Sequence, residues 1–250
     1  MRKRRGQIID GLLLADKPVD CSSNHALQRI KRLVDAQKAG HTGTLDPFAT
    51  GLLICCFGRA TKLANQMLEA DKEYVATVRF GIETDSGDLT GEVMSHAGDD
   101  FTMPSEADIQ AALVRFTGTI EQIPPMTSAL KHQGKPLYHY ARQGITIERA
   151  ARTVQIHRLE LLSIEAKCAR LLVHCSKGTY VRTLAQDIGR TLGVGAHLIE
   201  LQRTQIGPFS LKDAWRLADL EQLPSPQSAV IALTDLPAPY RLPNAAPSSI

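Results

Sequence analysis

GHTGTLDPFATGLLICCFG, residues 40–58, decides the architecture, because it joins an irregular corner to a buried strand. Residues 51–58, GLLICCFG, form a continuous apolar run bounded by glycines, the pattern of a strand covered on both faces. The segment before it, KAGHTGTLDPFATG at residues 38–51, carries three glycines and a proline without periodicity, which predicts loop. Gly40 and Gly43 admit backbone shapes that a Cβ excludes. Pro47 fixes its own φ and pushes Asp46 away from helical geometry. Asp46 therefore stands on a stiff corner next to the strand. On spacing alone its simpler role is that of a turn-forming Asp-Pro pair that bonds its own backbone.

Upstream, GLLLADKP at residues 11–18 reads as a short apolar strand ended by Lys17-Pro18. Ser22 and Ser23 offer an N-cap, and Ala26, Leu27, Ile30, Leu33 and Val34 follow at helical spacing to about Ala36. Downstream, residues 60–70 resemble a helix. KEYVATVRFG at residues 72–81 alternates as a strand, and GIETDSGDLTGE at 81–92 is a polar loop before a short strand near Val93. Ser105 and Asp108 form a capping signature ahead of a helix through Ile109, Ala112, Leu113 and Phe116, and GTIEQI is strand-like.

Residues 124–151 open on Pro124-Pro125, turn basic, pass through a helix-like PLYHYARQG and return; their length predicts a functional insertion. Residues 152–177 predict a hairpin turning near Lys167. GTYVRTLAQDIGRTLG then predicts a helix with Gly193 at C′, and HLIELQRTQIG another strand. A short helix near 212–223 precedes a segment holding six of the thirteen prolines, expected to be extended and weakly packed. Strands that cluster in pairs predict an α+β fold with a mixed, largely antiparallel sheet flanked by helices. No Walker A or G-x-G-x-x-G motif points to a nucleotide cofactor.

Composition narrows the class without choosing within it. The chain has 250 residues, 43% hydrophobic and 22% charged, as ordinary globular proteins do. No apolar run approaches the ~18 residues of a membrane span. MRKRRGQ at the N-terminus has no apolar segment behind it and does not read as a secretion signal. The five cysteines, Cys21, Cys55, Cys56, Cys168 and Cys175, fit neither a zinc site nor a disulfide framework, which predicts a reduced, cytoplasmic setting with the thiols as small buried apolar groups. A net charge of +3 permits a nucleic-acid partner without requiring one. The basic clusters are Arg2–Arg5, then Arg29, Lys31, Arg32 and Lys38, then Lys131, His132, Lys135, His139 and Arg142.

Two further segments hold groups suited to chemistry. HCSKGTYVRTLAQDIG, residues 174–189, runs strand, glycine turn, helix, with Tyr180 and Arg182 in the first helical turn. Lys72-Glu73-Tyr74 opens the alternating strand, where packing is the simpler role for the tyrosine.

Five blocks in the same order and spacing, LLLADKP, GHTGTLDPFATGLL, KEYVATVRFG, QIPPMTSALKHQGKPLYHYARQG and CSKGTYVRTLAQDIG, resemble the TruB family of bacterial tRNA pseudouridine synthases from about residue 11 to residue 207. The resemblance implies a bent mixed sheet flanked by helices, with an inserted RNA-clamping segment at about 124–151. It implies a basic extension at 1–10, a catalytic domain at 11–223, and a tail at 224–250 where relatives usually carry a small RNA-binding domain of the PUA type, here absent, replaced or truncated. It implies a substrate, uridine 55 in the TΨC arm of tRNA, for a monomer needing no cofactor or metal and no membrane. By matching motifs, Asp46 is the catalytic nucleophile, Arg182 the arginine paired with it, and His41 the residue that fills the space left by an extruded base. Tyr74 stacks on the uracil, Tyr180 contacts substrate, Leu201 lies against the base, and Lys17 sits near the site. Lys131, Lys135 and Arg142 would meet phosphates, with Arg149 and Arg152 adding to them.

That chemistry is self-consistent. The N1–C1′ bond breaks, the uracil turns, C5 joins C1′, and the proton leaving C5 is matched by one gained at N1. A carboxylate attacking C1′ or C6 suffices, and Tyr74 or a water is the candidate base for C5. Extruding the base from a structured loop costs a few kcal/mol, and stacking on an aromatic returns ~1–3 kcal/mol. Two other classes stay open at this level: a non-catalytic RNA-binding protein or tRNA folding chaperone, and a ribosomal RNA synthase of the guide-RNA type.

Overall fold

A computed structural model describes residues 6–98 and 100–241, so the Arg2–Arg5 cluster and residues 242–250 lie outside the described residues. In chain order the first elements are β1 (Gly11–Lys17), α1 (Ser23–Leu33), β2 (Ala39–Thr42), β3 (Thr50–Phe57), a 3₁₀ turn (Gly58–Leu63), α2 (Ala64–Glu69) and β4 (Lys72–Phe80). The middle of the chain forms β5 (Ile82–Thr84), β6 (Val93–His96), α3 (Glu106–Arg115), β7 (Gly118–Gln122), β8 (Lys131–His132), β9 (Lys135–Pro136) and α4 (Leu137–Ala141). Then follow β10 (Arg152–Glu165), β11 (Cys168–Cys175), α5 (Val181–Thr191), β12 (Ala196–Ile206), β13 (Phe209–Ser210), β14 (Trp215–Arg216), α6 (Leu217–Gln222) and β15 (Ile231–Ala232). The fold is α+β, and the chain divides into two units, Met1–Lys72 with Gln202–Ile250, and Glu73–Leu201.

The first unit is organised by β1 and β3, which pair antiparallel from Gly11↔Phe57 to Lys17↔Gly51. Their residues alternate between two cores. Leu13, Ala15, Leu53, Cys55 and Phe57 face Ala26, Leu27 and Ile30 of α1 and Leu217 and Leu220 of α6. Leu12, Leu14, Leu52, Ile54 and Cys56 face Ala60, Leu63, Met67 and Ile206. Burial on both faces is why GLLICCF is apolar without a break. The end of β12 runs parallel to β3 through Gln202↔Thr50 and Arg203↔Gly51.

Two expectations are corrected in this unit. Residues 39–42 are not loop: β2 pairs antiparallel with β3 through Ala39↔Phe57 and Thr42↔Ile54. Ala-Gly-His-Thr carries no apolar alternation because pairing with a strand that is already formed holds it in place. The proline-rich segment is not weakly packed over its described part. β15 pairs with β1, and Leu233, Leu236 and Tyr240 join the second core, with Leu236 fully buried. Pro224 and Pro237 follow the ends of helical elements and Pro226 opens one, while the spaced apolar residues anchor the segment.

In the second unit, β12, β4, β11, β10 and β7 are successive neighbours. The long hairpin of β10 and β11 pairs antiparallel from Ile156↔Cys175 to Glu165↔Cys168, turning where Lys167 was expected to turn it. Ser105 and Asp108 complete the expected capping box at α3. Gly193, with φ +74°, follows α5 at C′. In the insertion, β8 and β9 form a two-residue ladder closed by Gln133 and Gly134, both at positive φ, the geometry of a type I′ hairpin turn.

All five thiols are free, and Cys21, Cys55, Cys56 and Cys175 are buried. Burial pushes the Cys56 thiol up to about 12, which keeps it unreactive. No described helix is long and apolar enough to cross a membrane.

Candidate active site

Asp46 is half-buried on a turn in which its own carbonyl accepts from Ala49 N–H at 3.1 Å. Main-chain atoms close the turn, and Leu45, Phe48 and Ala49 bury around it. An irregular loop leaves backbone groups that a regular ladder would have satisfied, and buried donors must take them up. Three side chains of the first unit do so. Ser23 Oγ accepts from Leu45 N–H at 2.8 Å and donates to Leu45 O at 3.0 Å. Lys17, fully buried at the end of β1, donates from Nζ to Cys21 O at 2.6 Å, Pro18 O at 2.8 Å and Pro47 O at 3.2 Å. Arg203, 2% exposed, donates from Nε to Leu52 O at 2.8 Å and from its terminal nitrogen to Gly43 O at 3.0 Å.

The loop is therefore held at residues 43, 45 and 47, and Arg203 also grips Leu52 in β3, with the carboxylate at 46 between fixed points. Two buried cations stand with it. Burial pulls the Lys17 ammonium down to about 8; Cys21 and Asp46 act in the opposite sense, and the Arg203 charge adds to the depression. A charged Lys17 in turn favours ionised Asp46. On β2, half-buried His41 has its imidazole pKa lowered by burial first and by Arg203 second, so the ring is neutral near pH 7. Its Nδ1 is buried and finds no hydrogen-bond partner among the described residues.

Since the Lys17 ammonium loses its proton near pH 8, the positive charge beside Asp46 is lost as pH rises through that value. Single-turnover rates measured from pH 7 to pH 9.5 should fall above about 8, the value to which burial brings Lys17. A rate that holds level across that range would remove Lys17 from the electrostatics of the site.

The remaining candidates lie in the second unit. Tyr74, half-buried, and Leu201, 7% exposed, stand on the neighbouring strands β4 and β12. Tyr180 is the N-cap residue of α5. Its N–H donates to Gln122 Oε1 at 3.0 Å and its carbonyl accepts from Gln122 Nε2 at 3.3 Å, so one buried amide fixes its peptide on both sides. Arg182, 5% exposed, donates to Ser86 O at 2.9 Å and Thr127 O at 3.1 Å, bonds Thr127 Oγ1, and lies 3.4 Å from the Asp88 carboxylate. Asp88 is itself 3% exposed and held by Ser86 and Thr90. Thr127 belongs to the insertion, so Arg182 ties the insertion's base to the 81–92 loop.

Lys131, Lys135, Arg142 and Arg152 are exposed, Arg142 stacking 5.4 Å over the Tyr138 ring. A cavity of about 730 Å³ beside the insertion is lined by Thr127, Arg149, Asp187 and Arg190 among others, and by none of Tyr74, Tyr180, Arg182 or Leu201.

Four residues of these frameworks escaped the sequence reading. Of the two serines that offer a cap, Ser22 is the cap, accepting from His25 N–H at 3.1 Å, and Ser23 turns to Leu45. Asp88 was one acid in a polar loop, and Gln122 one polar residue in a strand. Arg203 does have a local signal: it stands two residues beyond Leu201 on the same strand, hence on the same, buried side.

Residues 31–181 match the TruB family pseudouridylate synthase N-terminal domain, and residues 182–233 the tRNA pseudouridylate synthase B C-terminal domain. A tRNA pseudouridine synthase B of Bordetella avium is 63% identical over 238 residues, 95% of this chain and 98% of that one. One of Chromobacterium violaceum is 58% identical over 218 residues, 87% of this chain and 70% of that one. Among solved structures, a chain of a Cbf5-Nop10-Gar1 complex superposes with a TM-score of 0.71 at 31% identity, over 90% of this chain and 60% of that one. A chain of an H/ACA RNP bound to a substrate RNA containing 2′-deoxyuridine gives 0.67 at 26% identity, over 93% and 65%. Matches of this extent place the chain in the TruB family of pseudouridylate synthases.

Proposed function

We propose that the protein isomerises uridine to pseudouridine at position 55 in the TΨC loop of tRNA, in the cytoplasm and without a cofactor. The observation that carries this is the fixed corner at Asp46: a half-buried carboxylate on a loop clamped at three backbone positions and at the adjoining Leu52 of β3, beside a buried ammonium that favours its charged form. Relatives named tRNA pseudouridine synthase B, alike over nearly the whole chain, support tRNA as substrate.

In this mechanism the target nucleotide leaves the stack and neutral His41 takes the vacated position. Tyr74 supplies an aromatic face and Leu201 an apolar wall for the uracil, and stacking of this kind is worth ~1–3 kcal/mol. Tyr180 touches the nucleotide. Asp46 attacks C1′ or C6, glycosidic cleavage frees the uracil to turn, and C5 joins C1′. Arg182 supplies the permanent cation assigned to Asp46 by family resemblance, its own orientation set by Asp88, Ser86 and Thr127. Lys131, Lys135 and Arg142 meet phosphates, giving affinity that weakens with salt.

The likeness to a chain of an H/ACA RNP bound to a substrate RNA favours a second reading, a ribosomal RNA synthase of the guide-RNA type. The near-complete match to the Bordetella avium relative outweighs it. One experiment separates them. The isolated chain, given a T-arm hairpin labelled with tritium at uracil C5, should release one tritium per hairpin, because C5 exchanges its hydrogen for C1′. No release without an added guide RNA or partner protein would favour the second reading.

A further inference from the structure

Arg203 lies at an unusual point of the first unit. The register sets Gly51 of β3 opposite Lys17 on one side and opposite Arg203 on the other. Two buried cations thus flank one glycine, and the Arg203 charge works against that of Lys17. An apolar side chain would fill the volume without this opposition, so packing alone does not account for an arginine.

Geometry does. Among the described residues, the Ser23 side chain bonds the loop at Leu45 and that of Lys17 bonds it at Pro47. Arg203 reaches both flanks: Gly43, three residues before Asp46, and Leu52, six after it. A planar fork with divergent donors can bridge two carbonyls in this way, and a single ammonium cannot keep the same geometry. Two glycines make room for Arg203, one for its side chain and one for its main chain. Gly43 adopts φ +77°, and a Cβ there would come 3.3 Å from the guanidinium. Gly51 adopts φ +100°, and a Cβ there would come 2.3 Å from the Arg203 carbonyl oxygen.

We propose that Arg203 is a positioning residue for Asp46, stitching the start of the 43–49 loop and the start of β3 to the end of β12 and so setting where the carboxylate stands. The proposal rests on Asp46 as nucleophile. It assigns Arg203 no contact with RNA, and its effect is confined to the chemical step. A misplacement of about 1 Å costs about 10²-fold in rate.

The test uses R203K, which keeps the charge and loses the fork, and G43A, which crowds the guanidinium and strains the φ +77° backbone where the fork grips it. For each, the single-turnover rate on tRNA, the tRNA Kd, the melting temperature and the amide exchange of residues 44–49 are measured. The expected result for R203K is a rate lower by about 10²-fold with Kd within about 3-fold, faster exchange confined to the loop, and a folded protein at the assay temperature. G43A should show the same pattern, and it carries the test should R203K fail to fold. A wild-type rate in both variants, loop exchange unchanged in both, or rate losses that only follow loss of binding or of folded protein would overturn the proposal. D46N separates this from failure of the underlying reading: turnover by that variant sinks the nucleophile assignment, whatever R203K does.

Discussion

Replacing Asp46 by Asn is expected to lower pseudouridine formation by about 10⁴-fold or more while leaving tRNA affinity within about 3-fold, since removing a nucleophile commonly costs that much when binding groups remain. The substitution is nearly isosteric, and the backbone clamps from Ser23, Lys17 and Arg203 act on residues 43, 45, 47 and 52, none of which it alters. The turn closed by Ala49 N–H on the Asp46 carbonyl also survives, because it uses the main chain. Only the charge and the nucleophilic oxygen are lost. Lys17 should respond: with the carboxylate gone, one influence raising its pKa disappears, and the ammonium should titrate lower than in the wild type. Single-turnover kinetics with excess enzyme, set beside equilibrium binding, separate loss of chemistry from loss of substrate.

The second large effect is on stability. Gly51→Ala places a methyl group 2.3 Å from the Arg203 carbonyl oxygen and 2.8 Å from its nitrogen, at φ +100°. The obstructing atoms are backbone in the middle of paired strands, so no side chain can swing aside. Positive φ at a residue with a Cβ and overpacking each cost about 1–3 kcal/mol, so a loss of about 3 kcal/mol or more is expected. In a chain of this size that corresponds to roughly 6–12 °C in melting temperature. Because Gly51 is where β1, β3 and β12 meet in register, loop geometry and rate should suffer too. Thermal unfolding of G51A within a degree or two of the wild type would show that the β3–β12 approach is looser than described.

How much of this was legible follows from where the determinants lie. GLLICCF announced a strand buried on both faces because two cores need apolar residues on successive positions. The Ser105–Asp108 box and the β10–β11 hairpin were legible because their signals lie within a few residues of one another. β2 was not, since His41 and Thr42 are strand only by virtue of β3. The packing of Leu233, Leu236 and Tyr240 was hidden behind their prolines. At the site, the residue types were visible through motif, but their support was not. Ser23 to Leu45, Gln122 to Tyr180 and Arg203 to Gly43 join positions 22, 58 and 160 residues apart. A sequence shows that such donors exist. Only the fold shows which carbonyls they meet.

Position-resolved mapping of pseudouridine in a full-length tRNA transcript, incubated with wild-type protein and with D46N in parallel, reaches furthest into the account. A single pseudouridine at position 55 with the wild type and none with the variant is the predicted result. Modification elsewhere in the tRNA, or an equal yield at that position from D46N, would contradict it.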